Sequence, residues 1–346
     1  MESNNYFHNI LPMELSSDDI SEAQKFLDNL HPDDLLNRGK DNIKEFDYNG
    51  SKYRMLVDKP ESGDPNKAIL VSLGYATGIT ARSLAQAYFI RDFVDPEATL
   101  VFHPNSTGND MNMNYSEIER KQLRRGNLRP VVGRIAVAMA SIGNPKDLTI
   151  FGLSQGATVA LAYASDEATP ESAVAFFGNP GVIDRSIIGL AYDFARSAYD
   201  FDKVIETNFT NNESPLAVEA KLKANPIGAF KHLVSILHSD NLAMAGAICH
   251  ETTSPAIKKI IDKGGNIVHS WGEKDSVSPN SANYAISDKF DYSLRYSGRR
   301  LLDAGHTAGH FYALMGVLTR LARIQKKRVD SIDHSLMQKP DWPAWH

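Results

Sequence analysis

From residue 67 onward, short apolar runs alternate with longer stretches of helical periodicity, the texture of a parallel sheet covered on both faces. Ala68-Ile69-Leu70-Val71-Ser72-Leu73 predicts a first parallel strand and Thr99-Leu100-Val101-Phe102 a second. Leu148-Thr149-Ile150-Phe151, Ala173-Val174-Ala175-Phe176-Phe177, Ile267-Val268-His269-Ser270-Trp271 and Arg300-Leu301-Leu302 predict four more. Helices are expected over 81–93 and over 131–142, the latter from Val131, Ile135, Ala138, Met139 and Ile142 on one face. Upstream, residues 44–48 and 52–58 flank Asn49-Gly50, the favoured two-residue hairpin turn, so an antiparallel hairpin leads into the sheet. Ser16, Ser17, Asp18 and Asp19 open a still earlier stretch, residues 15–30, with Ile20, Ala23, Leu27 and Leu30 at helical spacing.

One interval breaks this rhythm. A single crossover helix should join the fourth and fifth strands, yet about 70 residues intervene, with helical patterns over 187–198 and 230–237. Insertions at the strand ends where catalysis occurs are commonly lids, so this one is expected to roof a site. The chain accordingly divides into a helical extension (1–43), an α/β core (44–182 and 254–328), a helical cap (183–253) and a tail (329–346). The tail holds Trp342 and Trp345 among prolines and is expected to dock on its own domain or on a second copy of the chain.

Composition narrows the function. The 346 residues, 42% hydrophobic and 23% charged, suffice for a large core, and the net charge of −5 gives no general pull toward nucleic acid or an anionic membrane. No apolar run approaches the ~20 residues of a membrane span. Met1-Glu2-Ser3-Asn4-Asn5 lacks the basic start and apolar core of a signal peptide, and a single cysteine excludes a disulfide framework. The expectation is a reduced, cytoplasmic, soluble protein in which Cys249 is a small buried hydrophobe. Arg120, Lys121, Arg124, Arg125 and Arg129 form a basic cluster, but Glu117 and Glu119 adjoin it, which suits a solvated helix face.

The candidate chemistry centres on Gly152-Leu153-Ser154-Gln155-Gly156, placed between the third parallel strand and a helix of small residues. Two residues without Cβ let strand and helix pack closely around a sharp corner, and Ser154 is held there with its hydroxyl exposed to the site. A serine hydroxyl needs a base, and the base needs an orienting group. Downstream, the fifth strand runs into Trp271-Gly272-Glu273-Lys274-Asp275, and the sixth is followed by Asp303-Ala304-Gly305-His306-Thr307-Ala308-Gly309-His310. The order Ser, Asp, His results. Glu273 and Asp184 compete with Asp275 for the acid, and His310 competes with His306 for the base. The two histidines stand at a metal-binding i, i+4 spacing, but Gly305 and Gly309 argue against a helix and no acidic third ligand is placed as in His-Glu-x-x-His.

The elbow 152–156, the turn Gly272-Glu273-Lys274-Asp275 and the dipeptide Gly305-His306 together resemble the α/β-hydrolase superfamily, over roughly residues 44–326. The resemblance implies a mostly parallel central sheet with helices on both faces, an N-terminal antiparallel hairpin and a helical cap. It implies that Ser154 is the nucleophile, His306 the base and Asp275 the residue that fixes the imidazole. It further implies an oxyanion hole from the backbone N–H of Gln155 and of Tyr75, with Ala76 as the alternative to Tyr75. The loop departs from the family's frequent His-Gly by carrying Leu73-Gly74. The function expected is hydrolysis of a carboxylic ester or related acyl bond in a small-molecule substrate, through an acyl-serine, without metal or organic cofactor. Acyl transfer on the same triad and a non-catalytic binding or scaffolding role are the alternatives; a nucleic-acid partner is not expected.

Overall fold

The computed structural model describes residues 25, 26, 28–75, 77–105, 114–197, 238–301, 305, 306 and 312–331. Residues 15–24, 27, 198–237 and 332–346, with their expected helices and docking tail, lie outside it, as do Ala76 and His310.

Eight strands form one sheet: β1 (Ile43–Tyr48), β2 (Ser51–Asp58), β3 (Lys67–Ser72), β4 (Thr99–His103), β5 (Asp147–Leu153), β6 (Ala173–Phe177), β7 (Asn266–Gly272) and β8 (Tyr296–Leu301). Their order is β1-β2-β4-β3-β5-β6-β7-β8. β1 and β2 are antiparallel, and β3 to β8 run parallel. The hairpin closes Tyr48 onto Ser51, with Asn49 at φ 53° and Gly50 at φ 77°, the two positive values that a type I′ turn requires.

Alternation along β3 explains why its run is apolar throughout. Ala68 and Leu70 face a core with Val131, Ile135, Val159 and Ile257, while Ile69 and Val71 face another with Leu84, Tyr88, Met315 and Leu318. The first layer is built by α4 (Arg129–Ala140), α5 (Gln155–Glu167) and α8 (Thr253–Asp262), the second by α2 (Ala81–Val94) and α10 (Tyr312–Ser331). Pattern reading passes over α1 (Pro32–Asn42), which has little apolar face but carries Pro32 and two aspartates at its start and Lys40 in its last turn. It lies on α2, where Gly39 comes so near Leu84 that a Cβ would stand 2.7 Å from Cδ1.

Between β6 and β7 the described chain holds a short 3₁₀ turn (Pro180–Val182), α6 (Ile187–Ser197), α7 (Ser239–Ala247) and α8. Helix α8 packs on α5 as an ordinary crossover, and α7 packs on α3 (Glu117–Leu123). Part of the basic cluster is absorbed here. Arg120 on α3 pairs with Asp240 of α7 at 3.1 Å, and Lys121 with Glu117 at 2.9 Å. The remaining helix, α9 (Asn280–Phe290), connects β7 to β8. Among the described residues no helix is long and apolar enough to cross a membrane.

Candidate active site

Strand β5 delivers the chain to Ser154 at φ 53° and ψ −124°, a left-handed conformation that a serine adopts at a cost of about 1–3 kcal/mol. The surroundings enforce it. The Ser154 N–H donates to the Phe177 carbonyl at 2.9 Å, and its own carbonyl accepts from Ala157 N–H at 2.8 Å. A Cβ on Gly152 would stand 2.6 Å from Ala157 Cα, and one on Gly156 would lie on the Ser72 carbonyl. Both glycines are therefore required for α5 to start against β3 and β5. Ser154 is buried, with 3% of its surface exposed.

Strands β7 and β8 bring the partners. His306 Nε2 lies 2.8 Å from Ser154 Oγ, and its Nδ1 lies 2.9 and 3.1 Å from the two Asp275 oxygens. Nδ1 donates to the carboxylate, so Nε2 turns a lone pair toward the serine hydroxyl. Asp275 is fixed in turn, because its Oδ1 accepts from Val277 N–H and Ser278 N–H, each at 2.8 Å. The competing acids lie elsewhere: Glu273 pairs with Arg300 at 3.4 Å, and the exposed Asp184 accepts from Glu251 N–H.

Sequence reasoning missed the support behind this acid. Asn283 on α9 donates to the carbonyls of Ser278 and Pro279, each at 2.9 Å, and its Oδ1 meets Nε2 of the buried His269 at 2.8 Å. Tyr296 OH lies 2.8 Å from the other nitrogen of His269. Burial holds that imidazole neutral and moves its pKa down to about 3. Within the expected fifth strand, His269 reads only as one polar residue in an apolar run, and nothing near it in the chain signals Asn283.

Two apolar residues of α6, Leu190 and Phe194, pack with Ile248, Cys249, Val277 and Tyr75 in one small apolar cluster. Phe194 meets His306 edge-on at 5.6 Å and the Tyr75 ring at 6.1 Å. Ile187 and Ile188 of the same helix face outward at 43% and 83% exposure. Tyr75 lies on the loop after β3, and its hydroxyl donates to Asn241 O on α7 at 2.8 Å. That loop is tied to the end of β4, where Asn105 N–H donates to Thr77 O at 2.9 Å and the Asn105 amide to Leu73 O and Ser72 Oγ. Gln155 opens α5, so its N–H is among the amides a helix leaves unpaired. Burial pushes the Cys249 thiol up, which keeps it protonated and inert. Among the described residues no group of three or more His, Cys, Asp or Glu is placed to hold a metal.

A carboxylate that orients an imidazole, whose far nitrogen faces a hydroxyl, can take that hydroxyl's proton as the oxygen attacks an electrophile. No family model and no curated protein matches the sequence. Solved structures do. The chain is similar to a membrane phospholipase A described as a bacterial virulence factor, at 16% identity and TM-score 0.55 over 86% of this chain and 90% of that one. It is similar to a carboxylesterase of the ammonia-oxidizing Thaumarchaeon Nitrososphaera gargenis, at 13% identity and TM-score 0.52 over 82% of this chain and 100% of that one. A third likeness is to 2-hydroxy-6-oxo-6-phenylhexa-2,4-dienoate hydrolase from Rhodococcus sp. strain RHA1, at 16% identity and TM-score 0.50 over 81% and 97%. With six parallel strands, an antiparallel entry and a strand-to-helix corner at Ser154, the chain has the α/β-hydrolase fold.

Proposed function

We propose that the protein is a serine hydrolase that cleaves a carboxylic ester or related acyl bond. One observation carries this reading: the continuous contact from Asp275 through His306 to Ser154 Oγ, at 2.9 and 2.8 Å. Ser154 Oγ attacks the carbonyl carbon while His306 Nε2 takes its proton. The oxyanion of the tetrahedral intermediate accepts from the N–H groups of Gln155 and Tyr75. Collapse breaks the bond to the leaving group, which departs with the proton from Nε2 and leaves acyl-Ser154. Water then gives a proton to Nε2, attacks the acyl carbon, and returns Ser154 and a free acid. No metal or organic cofactor enters these steps.

The roof of Leu190, Phe194, Ile248 and Val277 suits an uncharged, apolar acyl or alkyl portion of a small-molecule substrate, since burying a charge there would be costly. Residues 183–253 act as the cap of the site, with 44–182 and 254–328 as its catalytic core. Enclosure also favours a second reading, in which an alcohol rather than water receives the acyl group.

Turnover of a short activated ester tests the proposal. Ser154→Ala should abolish it while the protein stays folded, and the wild type should bind a fluorophosphonate at Ser154. Retained turnover in the variant would remove Ser154 from the reaction. Product analysis with added alcohols separates hydrolysis from transfer.

A further inference from the structure

Arg185 lies between β6 and α6, outside every motif, yet 93% of its side chain is shielded, since its relative exposure is 7%. Its guanidinium reaches three separate segments. One nitrogen donates to Asp193 Oδ2 of α6 at 2.9 Å, and the other to Pro180 O after β6 at 3.0 Å and to Val277 O in the acid turn at 2.5 Å. Two of these segments, α6 and the acid turn, meet again where Ser276 Oγ donates to the Asp193 carbonyl at 3.1 Å. Ser276 and Val277 directly follow Asp275. Asp193 directly precedes Phe194, whose ring touches His306.

These contacts make α6 and the acid turn one unit. We propose that Arg185 and Asp193 are positioning residues that latch α6 to the acid turn, so that seating the roof over Ser154 and aligning Asp275 with His306 are a single event. The inference rests on the serine-hydrolase reading for its catalytic consequence but not for the latch itself. A planar guanidinium suits the task, because its fixed fork serves acceptors on several sides, whereas a lysine ammonium is a point charge on a flexible stem. Removing Asp193 leaves a shielded cation without its counter-charge, and the segments that cation holds are released together.

Hydrogen exchange and Ser154 labelling, read on the full chain for Asp193→Ala, Ser276→Ala and Arg185→Lys, test the latch. The expected result for Asp193→Ala is faster amide exchange, by about tenfold or more, in residues 187–194 and 275–278 together. Labelling of Ser154 by a fluorophosphonate should fall about tenfold. Arg185→Lys should follow Asp193→Ala despite keeping the charge, and Ser276→Ala should show the same coupled change in smaller measure. Faster exchange in 187–194 alone, with labelling at the wild-type rate, would overturn the proposal, as would no change in either segment. If wild-type Ser154 is inert to the probe, the hydrolase reading fails and the exchange data alone decide the latch. If Arg185→Lys does not fold, the other two variants decide it.

Discussion

Gly178 sits directly against His306: a Cβ on this glycine would stand 3.1 Å from Nδ1 and 3.2 Å from Asp275 Oδ2. Its φ of +61° is also one that side chains rarely adopt. Gly178→Ala therefore both strains the backbone and presses on the imidazole–carboxylate contact. The expected outcome is a stability loss of about 1–2 kcal/mol in denaturant unfolding, with at least a tenfold fall in ester turnover. Full turnover in a folded variant would show that the pair tolerates displacement.

Asp275→Asn tests the orienting role. An amide in place of the carboxylate no longer selects the tautomer that points a lone pair at Ser154, so turnover should fall by about 10³–10⁴ with the fold retained. A loss of less than tenfold in steady-state assays would move the acid's role to another residue.

Asn105 holds the loop that carries Tyr75 through both its backbone N–H and its side-chain amide. Asn105→Ala should lower kcat for the activated ester by about 10-fold or more with KM nearly unchanged, since the Tyr75 N–H proposed for the oxyanion hole would be needed mainly as charge develops on the oxygen. A rise in KM at constant kcat would assign the loop to ground-state binding.

His103 and His269 give the fold an acid limit. Burial holds both neutral, with pKa values of about 3, and the Arg134 charge adds to the effect at His103. Unfolded, each takes up a proton as pH falls through ~6.5, whereas the folded protein cannot until near 3. Between those limits the unfolded state binds more protons, so stability drops with falling pH, by up to about 1.4 kcal/mol per pH unit for each histidine. Above pH 7 these groups contribute no slope. Urea unfolding at pH 7, 6 and 5 measures it, and His269→Gln should remove about one proton from the dependence. An unchanged slope in that variant would exclude His269 as a source.

Local chemistry was legible wherever the chain's own neighbours determine it. Asn49-Gly50 announces its turn, the β3 to β6 runs announce burial on two faces, and Gly152 to Gly156 announce a corner. Asp275 is favoured over Glu273 by its place at the tip of the turn after the fifth predicted strand, and His306 over His310 because it directly follows the sixth and a glycine. Gly178 could not be chosen this way, because its φ and its nearness to an imidazole from a distant loop exist only after β6, β7 and β8 pair. Arg185 and Asp193 carry no signal in the chain, since their shielding depends on the acid turn folding over them. On α6, Leu190 is buried while Ile187 and Ile188 face outward, because periodicity gives a helix its faces but not which one a neighbour will cover.

Ser154, Gly178, Asp275 and the Tyr75 loop all follow the carboxyl ends of their strands. At the opposite rim, the turn between α4 and β5 is exposed, with Gly143 at φ 91° and Asn144 at φ 50° and nothing within 4 Å of a Cβ added at Gly143. An affinity handle or fluorophore grafted at that turn would tether the molecule by the rim opposite Ser154 and leave the Ser154 rim facing the solution.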